Sequence, residues 1–292
     1  MRLLSFEHDG RPTVGLLVGS DVVLPLRNAG GEPPFDPDSM LALIAAGAQG
    51  LAWLRSHSTG PTVSLRGLRL LAPIPRPTKN VFCVGWNYLE HFKEGEKNRP
   101  APVDLPEHPV FFTKAPTSVN GPYDAIPYDG AVTEKLDWEV ELGVVIGKRG
   151  RNIAERDALD YVWGYTVIND VTGRDLQRRH GNQWFKGKSL DGCAPMGPWI
   201  ATADEIDPSD LHLICRVNGV VKQDSSTRYM YFRIPRLIEE LSLGMTLEPG
   251  DIIATGTPAG VGHARTPPEF LRPTDVLETE IEGLGVLRNR IG

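Results

Sequence analysis

Apolar and polar positions along this chain alternate in short runs, a pattern that predicts strands more often than helices. Arg2 to Glu7, Pro12 to Gly19 and Asp21 to Leu26 read as strands, the first two joined by the turn His8-Asp9-Gly10-Arg11. Leu41, Leu43, Ile44, Leu51, Trp53 and Leu54 recur at helical spacing and predict a helix over Ser39 to His57. Further strands are predicted at Val81 to Gly85, Val110 to Thr113, Leu136 to Gly147, Tyr161 to Asn169, Trp199 to Ala201, Leu211 to Asn218, Ile252 to Thr255 and Val276 to Ile281. Helical patterns fall at Tyr88 to Lys97, Asn152 to Leu159 and Arg233 to Leu241. Leu71 to Lys79 carries Pro73, Pro75 and Pro77, and proline offers no N–H to a central ladder, so this reads as a stiff linker. Pro100 to Pro109 reads as an exposed loop. The expected organisation is a small N-terminal α+β domain over 1–70, a linker over 71–79 and a larger domain over 80–292, in an α+β, mostly β chain.

Composition narrows the function classes. The chain has 292 residues with 31 Gly and 25 Pro, which favours a loop-rich β protein over a helical bundle. Its net charge of −6 and lack of a basic stripe argue against a nucleic-acid partner, because phosphate neutralisation needs a basic face. Cys83, Cys193 and Cys215 are scattered without a CxxC pair, so buried reduced thiols are expected rather than a zinc ribbon or a disulfide framework. Acidic charge enters the opening segment at Glu7, and no apolar run approaches the ~20 residues that span a bilayer. A cytoplasmic protein with no membrane partner is expected.

The strongest chemical signal is Leu136-Asp-Trp-Glu-Val-Glu-Leu-Gly-Val-Val-Ile146. Period-2 alternation places Asp137, Glu139, Glu141 and Gly143 on one face. A solvated acidic face is the plain explanation. However, Val144-Val145-Ile146 is apolar on both faces, which marks a central buried strand. A second strand ends in Asn169-Asp170, adding a carboxylate at a strand end. Carboxylates packed together away from water repel unless a cation sits among them, and all-oxygen ligation suits Mg²⁺, Mn²⁺ or Ca²⁺. Three carboxylates would leave about three of six octahedral positions for water and substrate.

Three further elements carry candidate chemistry. On a helix from Tyr88, His91 and Glu94 stand at i and i+3, so a surface ion pair or a general-base dyad fits the spacing. Lys186 and Lys188 stand among small residues, where one of them could hold a substrate carboxylate or a developing enolate. The glycines of Ala254-Thr-Gly-Thr-Pro-Ala-Gly-Val-Gly262 permit a close backbone approach to a ligand, or a plain turn.

Together and in order, these pieces resemble the fumarylacetoacetate hydrolase family. The matching segments are Val81 to Tyr88 with His91 and Glu94, Phe112 to Ser118, Asp137 to Leu142, Asn169 to Gln177, Gly187 to Gly192, and Met245 to Asp251 running into Thr255 to Gly262. The resemblance implies a mixed β-sandwich roll with a divalent cation, Mg²⁺ or Mn²⁺, in its mouth, and a homodimer. It assigns Glu139, Glu141 and Asp170 to the metal and His91 and Glu94 to a dyad on a lid helix. Lys188 falls near the reacting centre, and Thr257, Arg174, Gln177 and Lys114 fall in the substrate pocket. A fourth metal carboxylate of founding members has no counterpart between Val81 and Tyr88, where water or substrate would take its place.

The implied activity is hydrolysis of the C–C bond of 2,4-dioxo acids through a metal-stabilised enolate. Oxaloacetate decarboxylation and 2-hydroxyhepta-2,4-diene-1,7-dioate-type isomerisation are alternatives that use the same site. A metal nuclease is disfavoured by the net charge. A non-catalytic binding module is disfavoured by the presence of His91, Glu94 and Lys188.

Overall fold

The computed structural model describes residues 1–96, 103–181 and 183–292. Lys97, at the end of one predicted helix, and Pro100 to Pro102, at the start of the predicted loop, lie outside them.

The N-terminal segment supplies β1 (Arg2–His8), β2 (Arg11–Val18) and β3 (Val22–Pro25). Asp9 and Gly10 turn the first hairpin with positive φ at both positions, the backbone that a tight two-residue connection requires. The helix predicted over Ser39 to His57 is two, α1 (Met40–Ala45) and α2 (Gly47–His57). The Ser39 hydroxyl accepts from the Ala42 N–H to cap α1, and Gly47 at φ +53° breaks the run. Two short strands follow, β4 (Val63–Ser64) and β5 (Arg69–Leu71).

The rest of the chain comprises β6 (Val81–Gly85), α3 (Leu89–Glu94), β7 (Val110–Lys114), β8 (Val119–Asn120), β9 (Leu136–Asp137), β10 (Val140–Ile146), β11 (Val162–Asn169) and β12 (Thr172–Gly173). It continues with α4 (Arg174–Arg179), α5 (Phe185–Lys188), β13 (Ala194–Thr202), β14 (His212–Val217), β15 (Val220–Ser226), α6 (Ile234–Ser242), β16 (Ile252–Ala254), β17 (Val276–Ile281) and β18 (Gly285–Arg290). The helix predicted over Asn152 to Leu159 is instead a 3₁₀ turn at Glu155–Tyr161. The strand predicted over Leu136 to Gly147 is interrupted, because side chains take the amides that a ladder would use. The Glu139 N–H donates to Asn169 Oδ1 at 2.9 Å and the Val140 N–H to Gln223 Oε1 at 3.0 Å.

The architecture is α+β and mostly β. One 12-stranded sheet runs in the order β4-β3-β2-β1-β13-β11-β10-β16-β6-β7, with β5 and β8 as side branches. Only β16–β6 and β13–β8 pair in parallel, so the sheet is mixed. A four-stranded sheet, β15-β14-β17-β18, covers its centre. Leu213, Cys215, Leu277 and Leu287 of the small sheet share a core with Val140, Leu142 and Val144 of the large one. Strand β10 is buried along its whole length, with Val140, Leu142, Val144 and Ile146 in this core and Val145 in a second one on the opposite face. All three cysteines are buried free thiols. No helix among the described residues is long and apolar enough to cross a membrane.

The first seventy residues join the large sheet through Arg2↔Ala201 and Leu3↔Ile200. Leu3, Leu43 and Ile44 share a second core with Ile200, Val81 and Ile252. Removing apolar volume at this seam should therefore weaken the whole fold. Leu3→Ala should lower the unfolding free energy by about 2–5 kcal/mol in a single transition followed by tryptophan fluorescence in urea. A separate early transition confined to the N-terminal segment would show that the seam does not couple the two parts.

Candidate active site

The register of two neighbouring strands assembles the acidic cluster. Val140 pairs with Asn169 and Glu141 with Ile168, and the Asp170 N–H donates to the Glu139 carbonyl at 2.9 Å. Glu139 and Glu141 leave on the same face, and the turn after β11 brings Asp170 beside them. Each offers an oxygen within 4.8 Å of the other two, and all three are buried.

Three cations from three elements surround the cluster. Lys114, the last residue of β7, donates to Asp170 Oδ1 at 2.7 Å and to the Val171 carbonyl at 3.0 Å. Lys188, the last residue of α5, reaches Asp170 Oδ2 at 2.6 Å and Glu139 Oε2 at 2.8 Å. Arg174, at the start of α4, reaches Glu139 Oε1 and Asp137 Oδ2, both at 2.7 Å. Close approach makes this possible. A Cβ at Gly187 would stand 2.4 Å from the Gln177 amide nitrogen, so only glycine lets α5 pack on α4.

Glu141 is the exception. Among the described residues no lysine or arginine pairs with it, and its Oε2 accepts only the Gly256 N–H, at 2.8 Å. Gly256 adopts φ +98°, with Asn87 Cβ 2.7 Å from where its own Cβ would be, so the donor requires glycine. Burial, then Asp170 and Glu139, push the Glu141 pKa well above the ordinary 4.5. Glu139 goes the other way. Burial would raise it, but Lys188 and Arg174 outweigh burial and bring it down to about 2. Burial likewise opposes the Lys188 ammonium, yet Asp170 and Glu139 hold its pKa up.

Four buried carboxyl groups, counting Asp137, thus meet three buried cations, and Glu141 is the one with no cation at hydrogen-bond distance among the described residues. The donor set fits a hard divalent cation. Ligands about 2.1 Å from Mg²⁺ stand roughly 3–4 Å apart, within a small adjustment of the spacing here.

His91 lines the same cavity, of about 820 Å³, as Glu139 and Glu141. His91 Nδ1 meets Glu94 Oε1 at 2.8 Å, and Glu94 Oε2 accepts the Gly260 N–H at 2.8 Å. The first contact makes Nδ1 the protonated ring nitrogen and leaves Nε2 the basic one, an assignment from bonding chemistry. The helix is held by buried Phe92, which meets Trp86 edge-to-face at 5.7 Å. Trp86 itself has φ +56°, a costly conformation for a bulky residue, at the junction of β6 and α3. Trp184 packs against both Trp86 and Phe112, and the Lys188 ammonium sits 5.0 Å from the centre of the Phe112 ring.

Asp137, predicted on the same face as Glu139 and Glu141, stands outside their cluster. Its oxygens accept the N–H groups of Trp138, Gly262 and His263 and the Arg174 guanidinium, so it fixes the glycine-rich loop. Lys114 does not line the cavity. It is fully buried behind Asp170 and positions that carboxylate. Thr257 lines the cavity, but its hydroxyl donates to the Val140 carbonyl and accepts from Gln223, leaving acceptor capacity only. Arg174 and Gln177 reach the cavity as expected, with Arg174 already engaged by two carboxylates.

Sequence reasoning missed Arg178 and His263, which also line the cavity. Arg178 follows Arg174 by four residues, a helical spacing that would have placed it on the same face. His263 directly follows the glycine-rich segment. Burial first, then the charges of Arg174 and Arg178, lower its pKa to about 3, so it is a neutral imidazole.

The Glu141 imbalance has a measurable sign. A carboxyl whose folded pKa is raised contributes stability below its unfolded value, and that contribution is lost as pH rises toward the folded one. In chelator, Glu141→Gln should become progressively more stable than the unsubstituted protein as pH increases above about 4.5. Added Mg²⁺ or Mn²⁺ should stabilise the unsubstituted protein and not the variant. A pH-independent difference in thermal unfolding would remove Glu141 as the unbalanced charge.

The family model for fumarylacetoacetate (FAA) hydrolase, C-terminal, matches residues 80–292. Oxaloacetate tautomerase YisK of Bacillus subtilis (strain 168) is 44% identical over 306 aligned residues, covering 100% of both chains. A fumarylacetoacetate hydrolase from the psychrophile Exiguobacterium antarcticum superposes with a TM-score of 0.85 at 42% identity, over 100% of this chain and 99% of that one. Maleylpyruvate hydrolase from Sphingobium sp. SYK-6, solved with a manganese(II) ion and pyruvate, superposes with a TM-score of 0.76 at 29% identity, over 100% of this chain and 98% of that one. The order of motifs, the mixed sheet and the buried carboxylate cluster agree with these matches, and the chain belongs to the fumarylacetoacetate hydrolase family.

Proposed function

We propose that this protein is a divalent-metal-dependent acid–base enzyme for short 2-oxo acids, and that its reaction is the keto–enol interconversion of oxaloacetate. The observation that carries the reading is that His91, bonded to Glu94, lines the same cavity as Glu139 and Glu141, which cluster with buried Asp170. No serine or cysteine lines the cavity among the described residues, so the side chains present move protons rather than form an acyl intermediate. The 44% identity to an oxaloacetate tautomerase over the full chain supports this over the C–C hydrolysis expected from family resemblance alone.

Mg²⁺ or Mn²⁺ held by Glu139, Glu141 and Asp170 would supply Lewis-acid polarisation of the 2-oxo group and acidify the neighbouring carbon. His91 Nε2 removes a proton from C3 of the keto form. The Glu94 carboxylate stabilises the imidazolium that results, and the Gly260 amide keeps Glu94 in place. Lys188 holds positive charge beside the oxygen on which negative charge builds. The imidazolium then delivers its proton to that oxygen, giving the enol, and the reverse sequence restores the keto acid. Trp86, Trp184 and Phe112 limit water access from the side.

Hydrolysis of a 2,4-dioxo acid would use the same dyad to activate water, and the manganese- and pyruvate-bound maleylpyruvate hydrolase relative keeps that second reading in view. Decarboxylation of oxaloacetate would need the site without a base. Enol-enriched oxaloacetate, followed by its ultraviolet enol band and by NMR of products, separates the three. Tautomerisation predicts faster decay of the enol band with Mg²⁺ or Mn²⁺, no matching release of pyruvate, and loss of the effect in chelator. Pyruvate and CO₂ appearing at the catalysed rate would replace the proposal with decarboxylation. Faster turnover of acetylpyruvate to pyruvate and acetate would replace it with hydrolysis. His91→Ala should slow the enol conversion by about 10²-fold or more, and Glu139→Gln should abolish its metal dependence.

A further inference from the structure

Helix α4 presents two arginines to the cavity in different electrostatic states. Arg174, Gln177 and Arg178 stand at i, i+3 and i+4, so they share one face, and all three line the cavity. Arg174 is spent on Asp137 and Glu139. One turn further from the carboxylate cluster, Arg178 is exposed, and among the described residues no carboxylate pairs with it. Its neighbour Arg179 is exposed as well but does not line the cavity. The cavity wall is therefore anionic at Glu139 and Glu141 and offers an uncommitted guanidinium about 6 Å further along the helix axis, the rise of four residues. The field of that guanidinium is felt within the cavity, since Arg178 is one of the charges that keep His263 neutral. Gln177, between the two arginines, accepts from Arg174 Nη1 at 3.4 Å.

We infer that Arg178 is the specificity-determining residue for the far end of the substrate, and that it selects short 2-oxo diacids over 2-oxo monoacids by pairing with their second carboxylate. The inference rests on the proposed site, with the 2-oxo acid end at Glu139 and Glu141. A four-carbon diacid spans about one helical turn, which matches the offset between the engaged arginine and the open one. A planar guanidinium suits a carboxylate because it donates two parallel hydrogen bonds. Arg178 contacts no reacting atom in this arrangement. Its contribution therefore falls on KM for diacids rather than on the proton-transfer step.

The test compares two four-carbon probes that do not react, malate and 2-hydroxybutyrate, which differ in the second carboxylate. Binding is read with Mg²⁺ present from the fluorescence of Trp86 and Trp184, which line the cavity. The unsubstituted protein should bind malate more tightly by about ten- to a hundredfold, the range of one charge-assisted contact. Arg178→Gln should bring that preference close to one, Arg178→Lys should keep part of it, and Arg179→Gln should leave it intact. Equal binding of the two probes by the unsubstituted protein, or an undiminished malate preference in Arg178→Gln, would overturn the inference. A malate preference that depends on Arg178 in a protein that does not accelerate enol conversion would sustain the inference and overturn the proposed reaction. With oxaloacetate as substrate, Arg178→Gln should raise KM by the same factor that the malate affinity falls.

Discussion

Glu139, Glu141 and Asp170 are buried within 4.8 Å of one another, and their mutual repulsion is the constraint to which the surrounding structure answers. Bringing three carboxylates out of water is affordable only if positive charge meets them at hydrogen-bond distance. The fold supplies it from three separate elements: Lys114 from the end of β7, Arg174 from α4 and Lys188 from α5. None is adjacent in sequence to the carboxylate it meets. The two helices that carry Arg174 and Lys188 are short, and their place in the fold follows from the ion pairs and from the glycine contact between them. The charge balance closes everywhere except at Glu141. A divalent cation bound there would therefore complete the charge balance of the buried cluster.

The same cluster sets the position of the base. Asp137 ties Arg174 to the Gly262 and His263 amides, the Gly260 amide holds Glu94, and Glu94 orients His91. The backbone of the glycine-rich loop, bonded to Asp137 at Gly262 and His263 and to Glu94 at Gly260, thus links the ion pairs of the cluster to the imidazole. Proton transfer depends steeply on distance, so this linkage matters more than the burial of α3, whose apolar anchor is Phe92 alone.

Where sequence sufficed and where it did not follows from the range of the interactions. Glu139 immediately precedes β10 and Glu141 is its second residue, and His91 and Glu94 are one turn apart on one helix, so local spacing brings each pair together. Asp170 was reachable because it ends an adjacent strand. Periodicity failed at Asp137, where Asn169 and Gln223 capture backbone amides and end the ladder, turning this carboxylate toward the loop. At Lys114 and Thr257 periodicity is silent, because their polar atoms are engaged by partners 56 and 117 residues away. Such partners leave no trace in local spacing. Family resemblance placed both residues near the site but not the direction of their hydrogen bonds. The helix over Ser39 to His57 was read as continuous because its apolar pattern is, while Gly47 sets the break through its backbone alone.

The relatives include tautomerases and hydrolases, and the geometry explains how one scaffold serves both. Each reaction needs an acidified carbon beside a 2-oxo group, a base above it and a cation beside the developing charge. In the proposed mechanism the carboxylate cluster, the dyad and Lys188 would supply all three, and none of these names the substrate. What remains free to differ is the wall one turn beyond the cluster. Arg178 stands on that wall, exposed, and among the described residues no carboxylate pairs with it. A residue there can change without disturbing the buried charge balance, so selection among substrates can proceed while the metal cluster and the base stay fixed.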